Sequence, residues 1–387
     1  MRNSLPSQWQ LLRHDHWLLS CLTWVPILLG ALLWWIFSQG VLQNLPIGVV
    51  DLSHSQLSRQ LTRDLEATST LSVTRQYQSI EEAKKDLVTS QIYAYVIIPS
   101  QFDKEIYRGE KPKVTTFYNS QYILVGRLIN SAILQAQGTL NAQLEGIKTL
   151  AHGNQTSLSA MGQAVPVRTQ MTPLFNKNNH YTQFLVSAAV PAVWQILIVV
   201  TTIMILSANY REYGLTHWLG ERPLRHLAST LTPYSVIFLL QGVIFLVCFY
   251  RLMQWPMHGS LFVLIFAQII TVVACIIMGA LFYFLTLDPA RAMSFAGAFT
   301  APSFAFMGVT FPASDMNNLA LIWRSLLPIS HYIEVQLTQV NYGLYASESL
   351  QHLIPMMGYS IPLLLTLALI RKHQTKEVQS RGNHDLV

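Results

Sequence analysis

The chain has 387 residues, of which 51% are hydrophobic and only 11% are charged, and its formal net charge is +6. This composition is too apolar for a soluble domain of that size, and the basic residues are scattered, which argues against nucleic acid as a partner. The cysteines Cys21, Cys248 and Cys275 all lie in apolar stretches. No disulfide framework and no cysteine-based metal site is therefore expected in the polar part of the chain.

Six apolar stretches have the length that a membrane span needs. A hydrocarbon core of about 30 Å requires about 20 apolar residues in a helix, because unpaired peptide groups are very costly in lipid. We therefore predict an α-helical integral membrane protein with six transmembrane helices and one inserted extracytoplasmic α/β domain. The predicted spans are Leu18–Phe37, Phe184–Ser207, Leu231–Tyr250, Leu261–Leu287, Ala292–Phe311 and Leu353–Ile370.

The segment 1–17 precedes the first predicted span, which occupies 18–38. Leu5, Trp9, Leu12 and His16 recur there at helical spacing with polar residues between them. This pattern predicts a short amphipathic connector helix on the inner membrane surface. A frayed terminus is the alternative.

The polar region 39–180 alternates between strand and helix patterns. Strands separated by helices favour a small mixed α/β sheet. Ser53 and Ser79 stand at capping-box spacing before two of the helices, and Ser100 precedes a third. The predicted strands are Ile47–Leu52, Leu71–Tyr77, Tyr93–Ile98 and Val114–Tyr118, followed by a long helix from Tyr122 to about Leu150 and a linker at 151–172.

The basic residues beside the spans indicate the orientation. By the positive-inside rule, both termini are expected in the cytoplasm and the region 39–180 outside. One predicted side carries only Arg251 and Arg324, while the other carries Arg2, Arg13, Arg211, Arg222, Arg225, Arg291, Arg371, Lys372, Lys376 and Arg381.

The region 181–371 holds the remaining predicted spans, with a cytoplasmic loop at 208–226 and a tail at 372–387. The loop combines charges with Trp218 and Leu219. One interpretation is a plain positive-inside hairpin between two spans. The other is a short amphipathic helix that docks into a partner's groove and transmits force.

Catalytic motifs are missing from the sequence. No Gly-Lys dipeptide occurs, so the chain has no Walker loop, and neither Gly-x-Ser-x-Gly nor His-Glu-x-x-His is present. His14, Asp15 and His16 are adjacent and would splay around a helix, so we interpret them as interfacial polar residues and not as a metal site. We expect no catalytic or metal-binding residues and no enzyme activity of its own.

Two elements resemble the ABC type-2 exporter permease family. The first, Glu212-Tyr213-Gly214-Leu215, is similar to the Glu-Arg-Gly-Thr element of that family, with Glu212 and Gly214 matching and the other two positions departing. In the family this element contacts the ATPase subunit. The resemblance therefore implies ATPase coupling by Arg211, Glu212, Tyr213 and Gly214.

The second element lies between Asp288 and Gly343. The family shows a span of small residues, a Gly-x-x-Phe-Pro exit, a Met and then Leu-Pro-x-x-His/Tyr. The segment 312–350 is too broken to span but is apolar enough at Leu319–Leu327 and Ile329–Val340 to re-enter the membrane, where it would line an outward gate. The matching residues are Gly308, Phe311, Pro312, Met316, Pro328 and His331.

Arg324 and Glu334 fall in the same segment. Charges at membrane depth often mark function, so gating is one reading, and snorkelling to the headgroups is the other.

The resemblance implies the permease subunit of an ATP-driven exporter in a bacterial inner membrane, with drug-like, lipid or glycan-like substrates. ATP is expected on a separate ATPase subunit and no cofactor on this chain. A second permease subunit, identical or paralogous, membrane lipid and a periplasmic adaptor are the other expected partners. The alternatives are an envelope receptor or scaffold that uses its outer domain, and an intramembrane enzyme.

Overall fold

The computed structural model of the protein describes residues 8–38, 43–121, 123–151 and 181–384. The chain forms two compact units. One unit comprises Met1–Gly40 and Pro173–Val387, and the other comprises Val41–Thr172. We call them the helical unit and the α/β unit. Apart from residue 151, the predicted linker at 151–172 lies outside the described residues.

The helical unit begins with three helices: α1 (Gln8–His14), α2 (His16–Leu22) and α3 (Trp24–Ile36). The Asp15 carboxylate caps α2 by accepting hydrogen bonds from the amides of Trp17 and Leu18 at 3.1 and 3.0 Å. Helices α2 and α3 together cover the first predicted span, but they meet at a bend of 49°.

The α/β unit is built on a four-stranded sheet in the order β2-β1-β3-β4. Strand β1 runs parallel to β2 and β3, while β4 is antiparallel to β3. The four predicted strands are confirmed to within two residues at each end. Their observed bounds are β1 Leu45–Asp51, β2 Leu71–Tyr77, β3 Ala94–Ile98 and β4 Thr115–Tyr118.

Four helices connect and cover these strands: α4 (Gln56–Glu66), α5 (Ile80–Val88), α6 (Phe102–Tyr107) and α7 (Ile123–Ala151). The predicted cap at Ser79 is confirmed, since its hydroxyl accepts from the Glu82 amide at 3.3 Å. The cap predicted at Ser53 is wrong, because Asp51 holds the Ser53 amide in a turn at 3.0 Å and the helix starts two residues later, capped by Ser55.

The two faces of the sheet are covered by different helices. Leu61 of α4 and Ile133 of α7 pack with Ile47 and Val96 of the sheet on one face. On the other face, Ala83 of α5 packs with Tyr95. Parallel strands joined by helices are normally buried on both sides in this way.

The rest of the helical unit begins with α8 (Tyr181–Tyr213), a short α9 (Leu215–Leu219), α10 (Pro223–Val247) and α11 (Leu261–Thr286). It continues with α12 (Pro289–Thr300), α13 (Ser303–Phe306), α14 (Asn318–Ser325), α15 (Pro328–Leu337), α16 (Ala346–Leu350) and α17 (Ser360–His384). Two π-helical turns, Cys248–Leu252 and Thr338–Tyr342, extend α10 and α15.

Four helices in the described residues are long and apolar enough to cross a membrane. The pair α2 and α3 makes a fifth when it is counted as one span. The four long helices coincide with four of the predicted spans. They run over Thr182–Tyr213, Pro223–Leu252, Leu261–Thr286 and Ala346–Gln379.

The stretch predicted as the fifth span, Ala292–Phe311, is not one continuous helix. Helix α12 ends at Thr300 and only the short α13 follows. Pro302 has no N–H to continue the hydrogen-bond ladder, and Gly308 turns the chain with a φ of 88°. The chain is therefore broken at the point where small residues and proline interrupt the apolar pattern.

Two short helices, α14 and α15, form in the segment that was predicted to re-enter the membrane, and the re-entry itself stays a prediction. Asn317 caps α14 by accepting from the Ala320 amide at 2.9 Å, and Pro328 opens α15 at the first helical position, where a missing N–H costs nothing. A 3₁₀ stretch, Gln351–Tyr359, then leads from α16 into α17.

Candidate coupling and gate sites

The predicted coupling loop at 208–226 folds as the end of α8, a glycine turn and the short helix α9. Gly214 links the two helices with a φ of 67° and a ψ of 161°. That combination lies in a region which essentially only glycine occupies. Gly214, which matches the glycine of the family element, is therefore required for the sharp turn between α8 and α9.

Helix α9 is amphipathic, and its apolar face is completely buried. Leu215, Trp218 and Leu219 are each at most 1% exposed, while His217 on the opposite face is exposed. The indole Nε1 of Trp218 donates a hydrogen bond to Thr230 Oγ1 at 3.0 Å, which ties α9 to α10. The helix is therefore fixed to the bundle and presents its polar face outward.

The C-terminal helix α17 also holds α9. The Glu377 carboxylate accepts from the amide and the hydroxyl of Thr216 at 3.1 and 2.9 Å. At the other end of α9, Gln374 Nε2 donates to the Gly220 carbonyl at 3.0 Å. Displacement of α9 would therefore be passed to α10 and α17 together.

Helix α1 packs on the same end of the bundle. The Gln8 amide donates to Asn209 Oδ1 at 3.0 Å and accepts from the Tyr234 hydroxyl at 3.1 Å. Leu12 is buried and Trp9 is 60% exposed, as an amphipathic helix requires. A helix therefore forms within the segment predicted as the connector, while Leu5 lies outside the described residues and the position of the helix on the inner membrane surface stays a prediction.

The four predicted coupling residues occupy one continuous stretch but differ in exposure. Arg211 and Glu212 are exposed at the end of α8, whereas Tyr213 and Gly214 are half-buried. Two charged side chains are thus accessible to a partner beside a structurally fixed helix.

Among the predicted gate residues, Gly308 has the clearest structural reason. A Cβ at this position would lie 2.9 Å from a terminal guanidinium nitrogen of Arg324, and the φ of 88° is itself unfavourable for other residues. Gly308 therefore makes room for a cation that is only 7% exposed.

That cation belongs to a charged cluster that links three elements. Arg324 of α14 donates to Glu334 of α15 at 2.7 Å, and His352 Nδ1 of the 3₁₀ stretch lies 3.2 Å from the second Glu334 oxygen. Arg324 is thus buried and paired with a carboxylate, and both gating and snorkelling stay predictions for this segment.

Pro328 and His331 both lie in the first turn of α15. His331 Nε2 donates to the Ser325 carbonyl at 3.0 Å, which joins α15 to the end of α14. Beside them, the Ile329 amide at the start of α15 donates to Gln195 Oε1 of α8 at 2.9 Å. The first turn of α15 is thus held from two sides.

The remaining predicted gate residues are dispersed. Phe311 is 50% exposed and Pro312 is also exposed, whereas Met316 is buried. The structure therefore groups Gly308, Pro328 and His331 around α14 and α15, and leaves Phe311 and Pro312 on the surface.

Sequence reasoning missed His352 and the buried glutamines. Gln195, Gln268 and Gln336 are each at most 4% exposed within helices of the bundle. A polar residue inside an apolar span is a signal that could have found the glutamines. The position of His352 beside Glu334 depends on tertiary structure alone.

In the part of the chain that the structure describes, no group of three or more His, Cys, Asp or Glu could hold a metal ion. Asp15, which lies between two histidines, is engaged as the cap of α2.

Long apolar helices that share buried polar contacts define a multi-pass membrane protein. A comparison with protein families agrees with this class, since the model described as ABC-2 family transporter protein matches residues 16–370. The chain therefore belongs to the ABC-2 transporter family, whose members are membrane permease components of ABC transporters. A comparison with curated proteins gives no match.

Proposed function

We propose that this protein is the permease subunit of an ATP-driven exporter, with ATP bound and hydrolysed on a separate ATPase subunit. The observation that carries the proposal is the amphipathic helix α9 beside the exposed Arg211 and Glu212. A docked ATPase would push on α9, and the contacts of Trp218 and Glu377 would pass this movement to α10 and α17.

The proposed topology has six membrane segments, with α12 and α13 as a broken fifth one. Both termini lie in the cytoplasm of a bacterium, and the α/β unit lies outside its inner membrane. The positive-inside pattern supports this orientation. Irregular backbone such as that after Thr300 is tolerated at membrane depth when protein covers it.

Membrane lipid and a second permease subunit are the proposed neighbours of the exposed apolar faces. Helix α11 supports this proposal, because Phe262, Phe266, Ile269 and Val273 follow helical spacing and are 43–83% exposed. Such a row needs an apolar cover in the membrane. The α/β unit is the proposed contact for a periplasmic adaptor.

The gate proposal concerns the segment 312–350. We assign to it the role of an outward gate that opens when α14 and α15 move apart. The supporting feature is that an ion pair and a histidine hydrogen bond hold these two helices together. Contacts of this kind can be broken and remade without unfolding either helix.

An envelope receptor or scaffold is the second candidate, and one observation favours it. The α/β unit has a cleft of about 580 Å³, which is lined by apolar residues such as Leu61, Phe102 and Leu140 and by charged ones such as Glu110 and Lys111. A cleft of that size lies within the usual range for small-ligand sites.

Co-purification separates the two candidates. The protein is extracted from its native membrane in mild detergent, and its partners are identified by mass spectrometry. We expect a stoichiometric ABC ATPase with the wild type and its loss with Glu212→Arg and with Gly214→Trp. Glu348→Arg is the matched control, since it reverses an exposed carboxylate in the segment proposed to lie outside.

Envelope proteins in place of an ATPase would refute the exporter and favour the scaffold. Retention of the ATPase by both coupling variants would refute the assigned docking site.

A further inference from the structure

A small cavity in the helical unit has no part in the coupling or gate contacts described above. Its volume is about 70 Å³. The residues that matter for its chemistry are Ser187 of α8, Tyr250, Trp255, Gln336 of α15 and Asn341. The cavity thus brings hydroxyl, amide and aromatic groups together between three separate parts of the chain.

Both π-helical turns of the described chain line this cavity. Tyr250 lies in the turn Cys248–Leu252, and Asn341 lies in the turn Thr338–Tyr342. A π turn is less stable than regular helix and is frequent at functional sites. Two of them facing one cavity indicate that local helix stability is sacrificed for the placement of these side chains.

Two buried polar atoms at the cavity lack partners in the described residues. Gln336 Nε2 donates to the Ser187 carbonyl at 2.8 Å, which fixes the amide and leaves its Oε1 without a hydrogen bond. The Tyr250 hydroxyl lies near this amide but makes no hydrogen bond of acceptable geometry. Unpaired buried polar groups are costly, so the cavity is suited to a ligand that supplies hydroxyl donors and acceptors.

The position of Trp255 depends on strained backbone at the residue before it and on a stacked aromatic neighbour. The preceding residue, Gln254, has a φ of 53°, and the Trp255 amide donates to the Phe249 carbonyl at 3.1 Å. The indole ring stacks on Phe249 with 4.8 Å between ring centroids. Strain of this type persists where the surrounding structure enforces it, and it concentrates at ligand sites.

Among the residues that the structure describes, no charged side chain lines the cavity. A charged ligand group would therefore be desolvated without a counter-ion, which is strongly unfavourable. A water molecule occupies about 30 Å³ of liquid, so the volume suits about two hydroxyl-sized groups, with the remainder of the ligand at the mouth near the half-exposed Phe184.

We infer that this cavity is a binding subsite for uncharged hydroxyl groups of the exported substrate, such as those along one edge of the sugar ring of a glycolipid, with the ring itself at the mouth of the cavity. The inference rests on the proposed export function for its biological meaning. Aromatic rings would pack on the apolar face of the sugar, while Gln336, Tyr250 and Asn341 would bind its hydroxyl groups.

Binding is measured on the full chain without any ATPase, in lipid nanodiscs. The probes are octyl glucoside, octyltrimethylammonium and octyl sulfate, each below its critical micelle concentration. Saturation-transfer NMR with empty nanodiscs as the blank removes the contribution of lipid partitioning. We expect saturable binding of octyl glucoside alone, weakened about threefold to tenfold by Tyr250→Phe and by Gln336→Leu, as the loss of one hydrogen bond predicts.

Tyr345→Phe and Gln351→Leu are the matched controls, because both side chains are exposed outside the cavity, and neither should alter binding. Tyr250→Phe removes a hydroxyl that has no hydrogen-bond partner among the described residues, so the fold should tolerate it. Equal binding of all three head groups, or unchanged octyl glucoside binding in Tyr250→Phe, would overturn the inference and leave the cavity as a water site. Since no ATPase is present, that result would not bear on the exporter proposal, which the co-purification tests separately.

Discussion

Replacing Glu334 with Gln tests whether the charged cluster holds the proposed gate together. The substitution keeps the size of the side chain and removes its charge, so Arg324 loses the carboxylate at 2.7 Å. Arg324 Nε already lacks a hydrogen-bond partner in the described residues. The variant therefore leaves a buried cation without compensation.

The expected cost follows from the burial of the two partners. Removal of one member of a fully buried ion pair costs about 3–5 kcal/mol. The side chain of Arg324 is 8% exposed, but that of Glu334 is 29% exposed, so water relieves part of the penalty. We expect a loss of about 2–3 kcal/mol, which for a chain of this size corresponds to a fall in Tm of roughly 3–6 °C.

Thermal unfolding of the full chain in nanodiscs measures this effect. Glu348→Gln is the matched control, since it removes an exposed carboxylate from the neighbouring helix α16. The double variant Arg324→Met with Glu334→Gln should recover part of the lost stability, because no uncompensated charge remains.

A Tm of Glu334→Gln within about 1 °C of the control would refute this reasoning. The reasoning would also be refuted if the double variant lost as much stability as Glu334→Gln and Arg324→Met lose in sum, because additivity shows that the two side chains do not interact.

Three further predictions follow from individual contacts. Gly308→Ala should lower the free energy of unfolding by about 1–2 kcal/mol, measured by thermal unfolding, because left-handed backbone disfavours a Cβ and Arg324 lies 2.9 Å from it. Trp218→Ala should cost about 3–5 kcal/mol and release the co-purified ATPase, since α9 loses its buried anchor. Burial and the hydrogen bond to Asp86 raise the pKa of Tyr77 to about 12. The folded state then binds a proton that the unfolded chain releases above about pH 10, so circular dichroism should show the wild type losing stability between pH 10 and 12 relative to Tyr77→Phe.

The elements that the sequence predicted well are those with strong local patterns. The four strands and the long helix α7 follow from periodicity and turn residues, and the four long apolar helices follow from length and hydropathy. Ser79 was predictable as a cap because a capping interaction spans only three residues.

Local patterns failed where a neighbouring group competed. Ser53 has the spacing of a cap, but the Asp51 carboxylate at the end of β1 takes its amide and delays the start of α4. The stretch Ala292–Phe311 has the mean hydropathy of a span, yet Pro302 and Gly308 divide it. In both cases individual residues decide the local backbone against the pattern of the surrounding stretch: the Asp51 carboxylate in the first case, and Pro302 and Gly308 in the second.

For the candidate sites, too, some residues were indicated by the sequence and others were found only in the tertiary structure. The sequence by itself determined that this is a polytopic helical membrane protein, because burial of backbone polar groups in lipid demands long apolar helices, and it predicted the small sheet in its polar region. It also indicated Glu212, Gly214 and Gly308 through a short motif and a glycine position. Only the tertiary structure brought Arg324, Glu334 and His352 together, and only it placed Tyr250 beside Gln336 in one cavity. These groups belong to different helices and turns, and their proximity results from how those elements pack, which no local pattern encodes.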